Sequence, residues 1–134
     1  MTRREARELI MQMLFESEFH EDSDRDDLFN QRIQEIEDSK GKEFVIKEYQ
    51  GIIKHQDEID AIIQKYSQNW DIKRIAKVDL MILKLAVYEL LWENDIPKKV
   101  VINEALEIAK LYSTEKSPKF INGILGQVIA SVEE

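Results

Sequence analysis

Apolar residues recur every three or four positions along most of this chain, which is the pattern of amphipathic helices. In residues 3–19 the apolar positions are Ala6, Leu9, Ile10, Met13 and Leu14. A second helix is predicted from Ser23 or Asp24, each able to cap it, to about Asp38, followed by a turn at "SKGK", 39–42. The pattern resumes over 44–66 as one long helix or two in tandem, with the break expected near "GIIKHQDE".

The second half of the chain is dominated by a segment that is apolar on nearly every side. A helix over 72–92 is predicted to be central, because a helix that is hydrophobic all round is a buried one. Pro97 opens the next helix, to about Tyr112, and Ser117 is the expected N-cap of the last, with Pro118 in its first turn. The pattern therefore predicts an all-α fold: one domain, 1–134, of about seven helices in two halves, about 1–67 and about 68–134.

Composition narrows the class of protein without changing the fold. Hydrophobic residues make up 43% and charged residues 34% of 134 residues, as in a soluble globular domain. The chain has no cysteine, which excludes disulfides and thiolate metal sites. The N-terminus "MTRREARELI" lacks the apolar core of a signal peptide, and Leu80–Trp92 is too short and too charged to cross a membrane. We expect a cytoplasmic protein.

The net charge of −8 is concentrated in one segment. Residues 16–38 hold ten acids against Arg25 and Arg32, so the remainder of the chain is neutral. A neutral remainder can carry a local basic stripe, and the acidity therefore argues against indiscriminate polyanion binding more than against a defined nucleic-acid site.

The sequence offers no convincing catalytic group. His20 and His55 stand alone without a second metal ligand four residues away, and Gly123 and Gly126 match neither nucleotide-binding fingerprint. We expect no enzyme activity, no metal and no cofactor.

Two groups of basic residues are candidates for contact with phosphate. Arg3, Arg4 and Arg7 lie on one side of the first helical turns. They form either a solubilising face, partly offset by Glu5 and Glu8, or guanidinium contacts to phosphate.

The second basic group lies in the loop "STEKSPKF". Lys116 and Lys119 flank the start of the last helix, beside Phe120. Cations beside an aromatic ring suit single-stranded RNA, whose bases stack while its phosphates need neutralising. The alternative is that Phe120 is core and begins the stripe that Ile124 and Val128 continue.

Asn103 and Asn122, in the last two helices, are interpreted as structural residues whose side chains hydrogen-bond to a loop backbone. Glu104 lies at the edge of an apolar face, where burial requires a cation, and Lys84 and Lys110 are the candidates.

Three stretches together resemble the NusB family of bacterial transcription antitermination factors: "RREARELIMQMLF", "VDLMILKLAVYEL" and "IPKKVVINEALEIAKLYSTEKSPKFINGIL". The resemblance covers essentially the whole chain and is weakest over 20–50. It implies an all-helical, non-enzymatic protein that binds the boxA element of RNA as a heterodimer with NusE, a ribosomal small-subunit protein, and acts with RNA polymerase. It implies RNA contacts for Arg3, Arg4, Arg7, Lys116, Lys119 and Phe120. It implies partner contacts for Phe15 and Asp79.

Two departures from the family pattern and two alternatives accompany this resemblance. Glu5 interrupts an arginine run that is often denser, and Lys116 is basic where relatives are commonly acidic. One alternative is a NusB-like domain detached from an RNA cytosine methyltransferase, against which the lack of a cofactor-binding region argues. The other is a helical scaffold that binds only protein. The oligomeric state is left open, a homodimer included.

Overall fold

The computed structural model describes residues 1–20, 22–68 and 71–133, without the side chains of residues 22 and 23. Within these ranges there are seven α-helices and one short 3₁₀ turn, Ile72–Arg74, and no strand. The helices are α1 (Arg3–Ser17), α2 (Asp22–Gln34), α3 (Ser39–Lys54), α4 (Gln56–Tyr66), α5 (Lys77–Trp92), α6 (Lys98–Tyr112) and α7 (Ser117–Glu133). The predicted all-α class is confirmed.

A reciprocal cap fixes the start of α1. The Thr2 hydroxyl accepts from the Glu5 backbone N–H at 3.0 Å, and the Glu5 carboxylate accepts from the Thr2 N–H at 2.8 Å. The hydrogen bond from the Thr2 backbone also lowers the pKa of Glu5. Glu5, which interrupts the arginine run in the sequence, is therefore part of the helix cap.

Two predicted boundaries in the first half were wrong. The second helix ends at Gln34 instead of about Asp38, and 39–42 form the first turn of α3 instead of a loop. Asp38 is the N-cap of α3, with its Oδ2 accepting from the Gly41 N–H at 3.1 Å. The predicted Ser23 cap lies outside the described side chains.

The other boundaries agree closely with prediction. The break in the third helical stretch falls at His55, between α3 and α4. Pro97 precedes α6, which ends at Tyr112 as expected, and Ser117 is the first residue of α7 instead of its cap. The central helix is shorter than expected, because residues 72–74 form the 3₁₀ turn.

Helix α5 is the centre of the molecule. It packs against α1, α3 and α4 from the first half and against α6 and α7 from the second, so the two halves share one core. Three of its charged residues, Asp79, Lys84 and Glu89, are buried. Lys84 is held by Glu18 and Asp60. Among the described helices, none combines the length and apolarity needed to span a bilayer.

Candidate nucleic-acid and partner surfaces

Arg7 of α1 lies inside the protein. It is 5% exposed, and its Nε donates to both carboxylate oxygens of Glu89 on α5, at 3.1 and 3.2 Å. A buried cation next to a buried carboxylate holds both groups in place, since either alone would be an uncompensated charge. The fold thus gives Arg7 a structural partner, and its guanidinium does not lie on the surface where phosphate contact was predicted.

The other two arginines of α1 lie closer to solvent, but each also contacts a residue of another helix. Arg4 makes a two-pronged contact with Glu104 of α6, Nε to Oε2 at 2.8 Å and Nη2 to Oε1 at 3.2 Å. This hydrogen-bonded pair raises the pKa of Arg4. The partner of Glu104 is therefore Arg4, and the candidates Lys84 and Lys110 were wrong. Arg3 is exposed, with its guanidinium carbon 4.3 Å from the centre of the Phe44 ring.

A group of buried acids lies behind Arg7. Glu48 of α3 is 1% exposed and lies close to Glu89, and its Oε1 is buried without a hydrogen-bond partner. Burial, followed by the contact with Glu89, raises the pKa of Glu48 to about 10. Glu93 accepts from the Tyr88 hydroxyl at 2.7 Å and pairs with Lys47 at 3.0 Å. With Glu48 protonated, each remaining buried carboxylate of this group has one cation.

The corner between α6 and α7 has the opposite character. Lys116 and Lys119 are exposed, and neither forms a salt bridge with any residue in the described ranges. Phe120 is half-buried: it packs against the core and also lines an open groove, so its two predicted roles are compatible. Ile124 and Val128 are buried, as the core stripe predicted.

Asp79 links this corner to the central helix through hydrogen bonds. It is 6% exposed in the first turn of α5 and accepts hydrogen bonds from the hydroxyls of Ser113 and Ser117, the latter at 2.9 Å. These contacts tie both ends of the α6–α7 loop to the central helix. The predicted role for Asp79 was contact with a partner protein, whereas the structure gives it contacts within the chain.

Phe15 lies at a separate surface. It is 40% exposed and borders an open cavity of about 320 Å³ between α1, α2, α5 and the end of α6. The apolar lining is completed by Met11, Val78, Met81 and Tyr112. Glu8 and Glu16 lie at the same cavity, the first bonded to Tyr112 and the second paired with Arg32.

Comparison with known proteins identifies the family. The profile of the NusB family matches residues 4–130. The chain belongs to the NusB family. The resemblance in the sequence is thus confirmed over nearly the whole chain.

Named relatives extend this result. The chain is 44% identical over 130 residues to the transcription antitermination protein NusB of Acetivibrio thermocellus, covering 96% of this chain and 89% of the relative. It is 44% identical over 128 residues to that of Listeria monocytogenes serotype 4a, covering 96% of each. These relatives are named as antitermination proteins and not as enzymes.

Solved structures of NusB proteins share the fold. T. maritima NusB superposes with a TM-score of 0.88 at 41% identity, covering 97% of this chain and 92% of that one. A chain from a crystal structure of the antitermination factors NusB and NusE in complex with dsRNA superposes with a TM-score of 0.84 at 27% identity, covering 96% of each chain.

Within this NusB-family fold, the predicted site residues form three separate groups. The arginines of α1 lie against α3, α5 and α6, the lysines and Phe120 lie at the α6–α7 corner, and Phe15 borders its own cavity. Sequence reasoning missed Tyr112 and Met81 at that cavity and Tyr66 beside Phe120. Tyr112 is an aromatic residue at the predicted end of a helix, and this position is a signal that the sequence did offer.

Proposed function

We propose that this chain is a transcription antitermination factor that binds the boxA element of nascent RNA together with NusE and so promotes read-through by RNA polymerase in the cytoplasm. Membership of the NusB family and the likeness to a NusB chain crystallised with NusE and dsRNA support this function. The observation that carries it is the α6–α7 corner, where two exposed lysines, which have no ion partner among the described residues, line the same groove as an aromatic side chain.

The RNA surface proposed here centres on Lys116, Lys119 and Phe120. The lysines would neutralise phosphates and set the register of the strand, while Phe120 offers a stacking surface. Arg3 is accessible to a second stretch of the same RNA. Arg4 is half-exposed but already paired with Glu104, so an RNA phosphate would have to compete with that carboxylate.

Arg7 and Asp79 receive supporting roles in this proposal. Arg7 neutralises Glu89 and so anchors the arginine-bearing start of α1 on α5. Asp79 fixes the loop that presents Lys116, because it accepts from Ser113 and Ser117 at opposite ends of that loop.

The partner surface proposed for NusE is the cavity beside Phe15. Its lining is mainly apolar. Glu16 is paired with Arg32, but Glu8 at the edge of the cavity suits a partner element that carries an apolar side chain next to a basic one. Phe19, which packs edge-on against Phe15 at 5.0 Å and is 67% exposed, extends the same surface.

The test is fluorescence anisotropy of a labelled boxA RNA and of a scrambled RNA, each titrated with the protein in the presence and absence of NusE. We expect selective tightening on boxA RNA when NusE is added. Phe15→Asp should abolish this NusE-dependent tightening while leaving circular dichroism and RNA binding by the protein alone unchanged. Ile53→Asp is the matched control, since Ile53 is also 40% exposed but lies away from the cavity.

Equal and weak binding of both RNAs, with and without NusE, would contradict the proposal and favour a protein-only scaffold. An unfolded Phe15→Asp variant would show instead that Phe15 is required by the core.

A further inference from the structure

Helix α2 is attached to the molecule through less buried surface than the other helices. None of the side chains described in α2, residues 24–34, is buried, whereas each of the other six helices has at least two buried residues. Phe29 and Ile33 are half-buried, and Phe29 stacks on Tyr49 with ring centres 5.2 Å apart. Because buried apolar surface supplies most of the free energy that docks a helix, α2 is the easiest of the described helices to move.

Arginine side chains complete the attachment of α2 to the end of α1. Arg25 donates through Nε to the backbone carbonyls of Ser17 and His20, at 2.7 and 2.9 Å. Arg32 donates to both carboxylate oxygens of Glu16, with its Nε 3.3 Å from Oε2. The position of α2 therefore depends in part on an ion pair that a charged ligand can exchange.

The Arg32–Glu16 pair lies at the cavity that is proposed above as the partner surface. Both residues line this cavity, and their side chains are 34% and 29% exposed. Glu8 lines it too, about two helical turns before Glu16 on α1, and accepts from the neutral hydroxyl of Tyr112 at 2.7 Å. Among the described residues that border the cavity, Glu16 is thus the carboxylate that a cation of the same chain already neutralises.

We propose that Arg32 competes with the partner protein for Glu16, and that docking of the partner displaces it. This inference rests on the partner surface proposed above. A basic side chain of the partner replaces the Arg32 guanidinium on Glu16 while an apolar side chain enters the cavity. The exchange is feasible because a partly exposed ion pair contributes little to stability.

Release of Arg32 does not leave its charge without a carboxylate. Glu35, one helical turn further along α2, is exposed and already interacts with the charge of Arg32. The displaced guanidinium therefore finds a carboxylate within α2 itself. A partner that offers only apolar side chains cannot replace Arg32 on Glu16, so the pair selects for a partner that carries a cation next to its apolar side chain.

The experiment measures the binding of labelled NusE by fluorescence anisotropy, without RNA. Arg32→Ala frees Glu16, so we expect NusE to bind roughly threefold to fivefold more tightly, the effect of removing a partly exposed competing ion pair. Arg32→Lys keeps the cation and should bind NusE much as the unaltered protein does. Lys54→Ala removes one positive charge at an exposed position away from the cavity, so it controls for net charge and should leave the affinity unchanged.

A double-mutant cycle identifies Glu16 as the site of competition. Glu16→Gln removes the carboxylate for which Arg32 and the partner compete, so Arg32→Ala should tighten binding less in this background than in the unaltered protein. An equal gain in both backgrounds would show that Arg32 acts through general electrostatics and would overturn the proposal. Weaker or unchanged binding by Arg32→Ala would also overturn it, since a residue that only fastens α2 gives that result.

Hydrogen exchange of the unaltered protein supplies a test that needs no substitution. When α2 loses its contact with Glu16, local opening of α2 becomes more frequent, so exchange over 24–34 should accelerate when NusE is added. Exchange over α1 should slow, because the partner covers that helix. Slower or unchanged exchange over 24–34 would show that α2 stays docked in the complex and would contradict the displacement of Arg32.

The outcomes separate this inference from the function on which it rests. Failure of the unaltered protein and of every variant to bind NusE would overturn the proposed partner surface. Binding of NusE that Phe15→Asp abolishes, with no gain for Arg32→Ala, would overturn the role of Arg32 alone.

Discussion

The start of α1 and the α6–α7 corner carry similar positive charge in the sequence but differ in what the fold does with it. At the start of α1, Arg7 is buried on Glu89 and Arg4 is paired with Glu104. At the corner, Lys116 and Lys119 are exposed and have no ion partner in the part of the chain that the structure describes. The arginines mainly join helices, whereas the lysines remain available to a ligand.

This difference shows how a candidate binding residue can be judged. A cation whose charge is already neutralised by a buried carboxylate gains little from a phosphate, because the existing pair must first be broken. An exposed lysine without an ion partner gives up only some side-chain freedom when it contacts a phosphate, and the release of counterions from the RNA favours that contact. The two regions therefore differ in whether their cations are paired with carboxylates of the same chain, more than in residue type. Substitutions in each region test this difference.

The largest effect is expected from Arg7→Ala. Removal of Arg7 leaves Glu89 buried without its cation and beside Glu48, so we expect the free energy of unfolding to fall by about 3–5 kcal/mol. Urea denaturation followed by circular dichroism measures this change.

Arg3→Ala is the control on the same helix. Arg3 is exposed and lies over the face of Phe44, so its loss should cost less than about 1 kcal/mol. If Arg7→Ala were equally mild and instead weakened RNA binding, Arg7 would belong to the RNA surface as the sequence predicted.

A smaller effect is expected from pH, through the carboxyl of Glu48. Its pKa is about 10 in the folded protein and near the ordinary glutamate value in the unfolded chain, so the folded state holds the proton more tightly. The stabilisation is complete below the unfolded pKa and is lost as pH rises toward 10. We expect stability to fall by at most about 1.4 kcal/mol per pH unit between neutrality and pH 9.

Glu48→Gln removes this ionisation while preserving the shape of the side chain, and its amide N–H replaces the O–H of the protonated carboxyl as a donor toward Glu89. Urea midpoints at pH 6, 7.5 and 9 should therefore fall less steeply in this variant than in the unaltered protein. Glu43→Gln, a change at an exposed position of the same helix, should keep the original slope. Parallel slopes for all three proteins would show that Glu48 is ionised in the folded state.

The sequence predicted the helices better than the site because helices depend on local spacing. Periodicity and Pro97 located α6 to within about one residue, and the break at His55 was also found. The error at 39–42 arose because residues typical of turns also suit the first turn of a helix capped by Asp38. By contrast, the burial of Arg7 depends on Glu89, 82 residues away, and that of Asp79 on Ser117, 38 residues away. No local pattern encodes such pairings.

The smallest effect is expected from substitution of the two lysines at the α6–α7 corner. Lys116→Ala and Lys119→Ala should each leave the urea midpoint unchanged, because neither side chain has an internal ion partner among the described residues. Each should weaken binding of boxA RNA by roughly threefold to fivefold and reduce the salt dependence of log K by about 0.7, the share of one phosphate contact on a single strand. Lys110→Ala, which removes an exposed lysine paired with Glu107 on α6, is the control and should change neither quantity. If Lys110→Ala lowered the salt slope as much as the corner variants do, the RNA would be responding to overall charge, and pairing within the chain would not be what distinguishes the two regions.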